Sequence, residues 1–413
     1  VRAFAFVAIL ALAAILLIAQ TTRIAVAEHF GTSTNLENVR RAVHLDPVNP
    51  KYQYRLGLLQ EFDWQHMDVA EAVGHLKAAT ALQPNNADYW SSLGRACFTT
   101  GDDGCAEQSY ETSIRLAPST PHFQWDIANY YLLAGKQDES FSHFHRFLEL
   151  SPDDPTPVFN ICQRIVSDPQ SIWHKVVPAS DTKLRLAYIN FLNEGGHPDA
   201  AFQYWNEIAQ DGSNAPYSTV QPYLDGLIAR NQIDQASKVW RDLENLGAVQ
   251  MPGRSPENVL FNGSFERDPL NSGFDWRITP EEYISLDFAD RDCSNSKRCL
   301  RVDFPVANNA EYEPIYEIVP VEPNQNYELT ANARSSEISS DSGPRLRVVD
   351  PQCPTCVSAE SQASIGTNPW HKIAVSFSTG PKTQEVHVSL WRPRGRSFPM
   401  EIQGTFWLAS VSL

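Results

Sequence analysis

The chain has 413 residues, 42% of them hydrophobic, and a formal net charge of −16 at pH 7. That length exceeds what one hydrophobic core usually serves, so a multidomain protein is expected. The acidic balance argues against a general nucleic-acid or anionic-membrane binding surface and names no partner by itself.

Ala3 to Thr22 carries no charge, and Phe4 to Ala19 is almost entirely apolar. At about 1.5 Å per helical residue, roughly 20 residues cross a bilayer core, so residues 1–27 read as a membrane anchor or a signal segment. Ala25-Val26-Ala27 before Glu28 has the small-residue form of a signal cleavage site. Arg23 interrupts the run ahead of that site and the uncharged stretch is long, which favours an uncleaved N-terminal transmembrane helix. Arg2 and Arg23 discriminate orientation poorly. Either reading exports the folded mass: a single pass through a bacterial cytoplasmic membrane with periplasmic domains is the expectation, and secretion after cleavage the alternative.

Pro84, Pro118 and Pro152 follow one another at intervals of 34 residues, each closing an apolar run (HLKAATALQP, SYETSIRLAP, FHRFLELSP). A fixed period of this size signals units that bury their apolar faces only by stacking. With Ala87 as position 1, Trp90 stands at 4, Leu93 at 7, Gly94 at 8, Ala106 at 20, Tyr110 at 24 and Pro118 at 32. Small residues at 8 and 20 let two antiparallel helices approach, Leu93 and Tyr110 fill the space between them, and Gly101-Asp102 forms the turn. The unit begun at Pro121 repeats the pattern with Ala128, Tyr131, Ser140, Phe144 and Phe147. Because several positions recur together, this stretch resembles the tetratricopeptide repeat family.

Upstream, Tyr54, Leu56 and Gly57 open a unit with a small insertion at FDWQHMD, preceded by the half-unit LENVRRAVHLDP. Downstream, LRLAYINFLNEGGHPDAAFQYWNEIA and VQPYLDGLIARNQIDQASKVWRDL read as degenerate helix pairs, after an irregularity at SPDDPTP. The expectation is an α-solenoid of roughly five to six tetratricopeptide-like helix pairs over 35–246. The resemblance implies that first-helix positions 2, 5, 9, 12 and 13 face a groove. Candidate protein-binding residues there are Tyr54, Arg95, Phe98, Trp125 and Asn129; the alternative is that they only pack the solenoid. Cys97 and Cys105 read as core or turn residues of one repeat.

GAVQMPGRSPEN ends the helical pattern. Beyond it, eight or nine short segments with strand character, from VLFNGSF to FWLASVSL, point to an antiparallel β-sandwich over 258–413. Leu300, Val302 and Phe304, and likewise Ile373, Val375 and Phe377, alternate with outward residues. LFNGSFE, GFDW, NYELTANAR, NPWHKIAVSFST and GTFWLASVSL, in that order, resemble jelly-roll carbohydrate-binding modules of the galactose-binding-like type. The resemblance implies that Asn262, Gly263, Phe265 and Glu266 lie on an opening strand and its turn. Ala409 and Ser410 stand where that family carries paired aspartates for a structural calcium, so no metal is expected. Exposed aromatics flanked by polar groups suit a sugar ring, and Tyr312, Tyr316, Trp391 and Arg392 are the candidate glycan-binding residues. Trp276, Trp370 and Trp407 are expected in the core.

Cys293 and Cys299 bracket SNSKR, and Cys353 and Cys356 bracket Pro-Thr. In an oxidising compartment two local disulfides are the simplest assignment; a four-cysteine zinc site and a redox motif are the other readings. The sequence holds no G-x-S-x-G elbow, HExxH, Walker loop or dinucleotide fingerprint. His66, His75, His122, His143 and His145 are expected to be solvated or satisfied, so neither an enzyme nor a cofactor is expected. The functional expectation is an exported, membrane-associated scaffold that binds a protein partner through the repeat groove, in an envelope or exopolysaccharide system. Polysaccharide binding by the sandwich, or a purely structural sandwich, is the alternative.

Overall fold

The computed structural model describes residues 2–65, 67–151, 153–213, 215–250, 258–289, 291, 293, 294 and 296–413. His66, Pro152 and the centre of the linker GAVQMPGRSPEN lie outside the described residues. Among those described, fourteen helices are followed by ten strands in two antiparallel sheets. The chain divides into two compact units, 1–185 and 186–413.

In the first unit, α1 (Arg2–Gly31) is long and apolar enough over Phe6–Gly31 to cross a membrane. Its last turns change character: Ala27 is buried among Ala42 and Tyr52, with Phe30 packed beside them. Tyr52 also donates its hydroxyl to Glu28. The helix therefore runs on into the fold, packing on α2 (Leu36–Leu45) and α3 (Pro50–Phe62). Then come α4 (Val69–Leu82), α5 (Ala87–Thr99), α6 (Asp103–Leu116), α7 (Pro121–Leu133) and α8 (Gln137–Leu150), paired as the period predicts. Helix starts are set locally: the Asn49, Asn86 and Asp102 side chains accept from the amides of Lys51, Asp88 and Cys105, supplying orphan first-turn donors with partners. A methyl group on Gly94 would lie 3.0 Å from the Tyr110 ring. The small residue at position 8 is thus required by the large one at 24.

The irregularity at SPDDPTP is a short pair, α9 (Thr156–Ile165) and α10 (Pro169–Lys175). Cys97 lies in the repeat core with Cys105 packed against it, as expected, but the bond between their sulfurs is not expected from the sequence. They form a disulfide with Cα atoms 5.8 Å apart, because the turn between α5 and α6 folds one helix end back on the other. With both sulfurs bonded to each other, the cluster they make with Asp102 is not a free metal-ligand set. Cys162 is buried and unbonded, and burial pushes its thiol up to about 12.

The second unit begins within α11 (Thr182–Glu194) and continues through α12 (Pro198–Gln210), α13 (Tyr217–Ala229) and α14 (Ile233–Asn245). The helical pattern stops there, but packing does not divide there. Trp240 of α14 lies edge-on to Phe261 at 4.7 Å and to Phe274 at 5.9 Å. The Tyr217 hydroxyl bonds Ser272 Oγ at 2.6 Å, and Asp225 accepts from the Gly273 amide at 2.9 Å. Gly273 has a positive φ of 60°, and a Cβ there would collide with the Trp240 ring. The last helix pair is seated on the sandwich.

The strands are β1 (Arg277–Ile278), β2 (Ser285–Ala289), β3 (Cys299–Asn308), β4 (Tyr312–Pro320), β5 (Asn326–Ile338), β6 (Arg345–Val349), β7 (Ser358–Glu360), β8 (Gly366–Ser378), β9 (Glu385–Arg392) and β10 (Ile402–Ser412). One sheet has the order β1-β4-β9-β6-β7 and the other β2-β3-β10-β5-β8. Leu300, Val302, Phe304, Ile373, Val375 and Phe377 face the core, as their alternation predicts, and Trp276 is fully buried with them. Two expectations are corrected. VLFNGSF forms no strand; Val259 and Val411 donate single bonds to Leu413 and Gly263 instead. Trp370 and Trp407 lie outside the main core in a satellite cluster with Ala409 and the Cys293–Cys299 disulfide. Trp407 pairs across strands with Arg301 and Arg334, which alternate with the core residues. The other loop is closed by Cys353–Cys356.

Trp240→Ala should cost about 3–5 kcal/mol of the second unit's stability, the usual range for truncating a buried tryptophan. Chemical denaturation of the full chain in detergent should show a lower midpoint for that unit; an unchanged midpoint would contradict the seating of α14 on the sandwich.

Candidate functional site

Helices α3, α5 and α7, the first helices of three successive repeats, are linked side by side. Tyr54 stacks against Tyr89 at 4.5 Å and its hydroxyl lies 3.2 Å from Ser92 Oγ. Ser91 donates to Asp126 at 2.7 Å. Arg95 grips Glu61 through two bonds, Nε–Oε1 at 2.7 Å and Nη2–Oε2 at 3.2 Å. The Glu61 side chain is 5% exposed and that of Arg95 38%. Burial works against the Arg95 charge, but the bond to Glu61 and its charge hold the guanidinium above its ordinary pKa. The guanidinium also covers the exposed Phe62 ring at 4.8 Å. Such a two-pronged pair fixes geometry as well as charge.

Phe98 is half-buried, edge-on to Tyr130 at 5.3 Å. Trp125 is half-buried against Phe144 at 5.6 Å and Phe147 at 5.3 Å. Asn129 donates to the Trp125 carbonyl at 2.8 Å. Trp125 and Phe147 wall an open recess of about 510 Å³ with Pro121, His122, Ser151, Asp154 and Pro157. The five candidate residues therefore lie on three neighbouring helices, with the recess at the α7 end. The histidines nearby have partners: His75 pairs with Gln53 at 2.7 Å and His143 with Gln124 at 2.8 Å. Burial lowers the pKa of both.

In the sandwich the four candidate glycan residues separate into two pairs. Tyr312 and Arg392 are interior. Arg392 is 0% exposed. Its Nε donates to the Ser342 carbonyl at 2.9 Å, and Nη2 to Ser340 Oγ at 3.0 Å and the Met400 carbonyl at 2.8 Å. With a further bond from Nη1 to the Ala310 carbonyl it ties three loops together. Tyr312 is 5% exposed, between Phe304 at 5.5 Å and the Arg392 guanidinium at 5.7 Å; burial pushes its hydroxyl pKa up. Tyr316 and Trp391 are half-buried on the outer face of the β1-β4-β9-β6-β7 sheet. Tyr316 stacks on His387 at 5.1 Å, and the Arg347 guanidinium lies 4.3 Å over the Trp391 ring.

That face holds residues the sequence reading missed. Ser389 pairs across strands with Tyr316 on β4 and Arg347 on β6, and Trp391 with Arg345. Ser389 Oγ, Glu385 Oε2, Trp391 Nε1 and the Nε atoms of Arg345 and Arg347 are buried without hydrogen-bond partners. The alternation of RLRVV and EVHVSLWR carries the signal; which residues become neighbours depends on register. A second cavity, of about 720 Å³, lies between α14 and the edge of β4, with Trp240, Phe261 and Phe274 among its walls and Asp234, Arg241 and Glu322 at its rim.

Residues 63–106 match the tetratricopeptide repeat family. No curated protein matches the chain. Among solved structures, the chain is similar to MamA at 24% identity, covering 32% of this chain and 77% of that one, with a TM-score of 0.28. It is similar to a thermophilic TPR protein of Thermus thermophilus at 23% identity, over 32% of this chain and 72% of that one, with a TM-score of 0.28. It is also similar to the enzymatically active domain of tailspike protein 4 of bacteriophage CBA120, at 14% identity and a TM-score of 0.30. That match covers 38% of this chain and 21% of the tailspike chain. The family match and the repeat geometry agree: the helices of this chain form a tetratricopeptide-like solenoid, a fold that in general serves protein interaction.

Proposed function

We propose that the protein is an exported, membrane-anchored scaffold of a bacterial envelope system, holding a protein partner in the groove of its helical repeats. The observation that carries this reading is the layer formed by α3, α5 and α7. It presents the Arg95–Glu61 pair and Tyr54, and at its α7 end Trp125 lines an open recess. Aromatic and arginine side chains held rigid and half-exposed are the composition of binding hot spots. No catalytic role is proposed.

The anchor reading is supported by the end of α1. Cleavage after Ala27 would remove a fully buried residue and place the new terminus at Glu28, the acceptor of the Tyr52 hydroxyl. Three disulfides fit an oxidising compartment, here the periplasm. A second reading, saccharide binding by the sandwich, is favoured by the unpaired polar atoms around Ser389 beside Trp391 and Tyr316.

Removing Arg95 alone would strand the buried Glu61 carboxylate, so the groove is better tested by Trp125→Ala and by the joint change Glu61→Gln with Arg95→Gln. Each should weaken capture of the partner by roughly thirtyfold or more, the equivalent of about 2 kcal/mol, at unchanged helicity. Unchanged affinity in the folded variants would move the interaction elsewhere. The intact mass of unreduced protein taken from membranes should include residues 2–27 and fall short of the reduced mass by the hydrogens of three disulfides. A chain starting at Glu28 would contradict the anchor, and free thiols at those positions would contradict export.

A further inference from the structure

We propose that the outer face of the β1-β4-β9-β6-β7 sheet binds a saccharide bearing a carboxylate, a uronate, with Arg347 reading the acid and Trp391 and Tyr316 receiving the sugar ring. This rests on the saccharide reading of the sandwich and adds the charge of the ligand. The first observation is depth. Ser389 is 1% exposed and Glu385 5% exposed, yet Ser389 Oγ and Glu385 Oε2 have no partners. A buried polar group left unpaired costs roughly 1–3 kcal/mol, and native proteins keep few of them without reason. Here five such atoms fall on two neighbouring strands. On β9, Glu385, Ser389 and Trp391 stand at alternate positions and so share one face; on β6, Arg345 and Arg347 pair directly with Trp391 and Ser389. Three of the five atoms are N–H donors, which suits a ligand rich in acceptors.

The second observation is charge. Two arginines of this face are already neutralised: Arg345 lies 3.3 Å from Glu360, and Arg277 lies 3.3 Å from Asp225. Arg347 has no carboxylate at ion-pair distance among the described residues; its guanidinium rests on the Trp391 ring. Burial raises the Glu385 carboxyl pKa and lowers that of His387. Each shift is away from the charged form, and neither group lies at ion-pair distance from Arg347 among the described residues. An unpaired guanidinium beside an aromatic platform, on a chain whose net charge is −16, marks a place where one anion is admitted. A carboxylate on a sugar ring meets both requirements: the planar acid matches the guanidinium fork, and the apolar face of the pyranose covers the aromatic ring.

The test uses the full chain in detergent and a panel of oligouronates, namely galacturonate, glucuronate and mannuronate oligomers, each paired with its methyl ester. The ester keeps the ring and removes the charge. At least one acid oligomer should bind roughly tenfold or more tighter than its ester, and Arg347→Gln should abolish that preference while Arg347→Lys retains part of it. Trp391→Ala should weaken acid and ester alike. Equal binding of acid and ester, or an acid preference that survives Arg347→Gln, would overturn the uronate inference while leaving saccharide binding in place. Absence of binding by any oligomer to the folded chain would overturn both.

Discussion

The Tyr110 ring lies across Gly94, and the rest of the helical architecture depends on that contact of a large side chain with a missing one. It brings the two helices of a repeat close enough that each pair has one remaining apolar side, which only another pair can cover. Stacking therefore continues until something other than a repeat takes the place of the next one. At the start of the first unit the last turns of α1 do so, placing Ala27 against Ala42 and Tyr52. In the second unit the sandwich does so, with Phe261 and Phe274 receiving Trp240 of α14. Within the first unit the repeats are thus closed by a helix apolar enough to span a membrane, and within the second the last helix pair is closed by a β-domain.

The first helices α3, α5 and α7 are joined by polar pairs that bridge neighbouring repeats. Glu61 is nearly buried and is held by the two-pronged bond from Arg95. Such a pair contributes more to fixing the register of α3 against α5 than to net stability, since burying both groups costs much of what their attraction returns. On the sandwich, Arg347 lacks that arrangement. Arg95 is committed to a carboxylate, whereas the Arg347 guanidinium rests on the Trp391 ring.

Much of this was legible from residues alone. The 34-residue period and the alternation on β3 and β8 follow from the requirement that apolar groups share a face, which a linear chain displays directly. What was not legible depended on pairings between distant positions. Cys97 and Cys105 are repeat core residues, as they looked, and only the helical turn shows that they are also bonded to each other. Trp391 and Arg392 could have been separated by parity, because adjacent strand residues point to opposite faces. Tyr312 could not: it shares parity with Tyr316, but a register shift between Tyr312 and Ile315 turns it inward, opposite Arg392. Trp407 has core chemistry but the outward parity of Arg301 and Arg334, and guanidinium groups cover it in place of a second sheet.

The central claim, that the layer of first helices holds a protein partner, is tested most directly by site-specific photocrosslinking in intact cells. A benzoylphenylalanine placed at Asn129 on α7 should give a discrete crosslinked species that is lost in Trp125→Ala. The same probe at the exposed Glu111 on the second helix α6 should give none. Crosslinking from Glu111 with none from Asn129 would contradict the account and put the binding surface on the opposite layer of the solenoid.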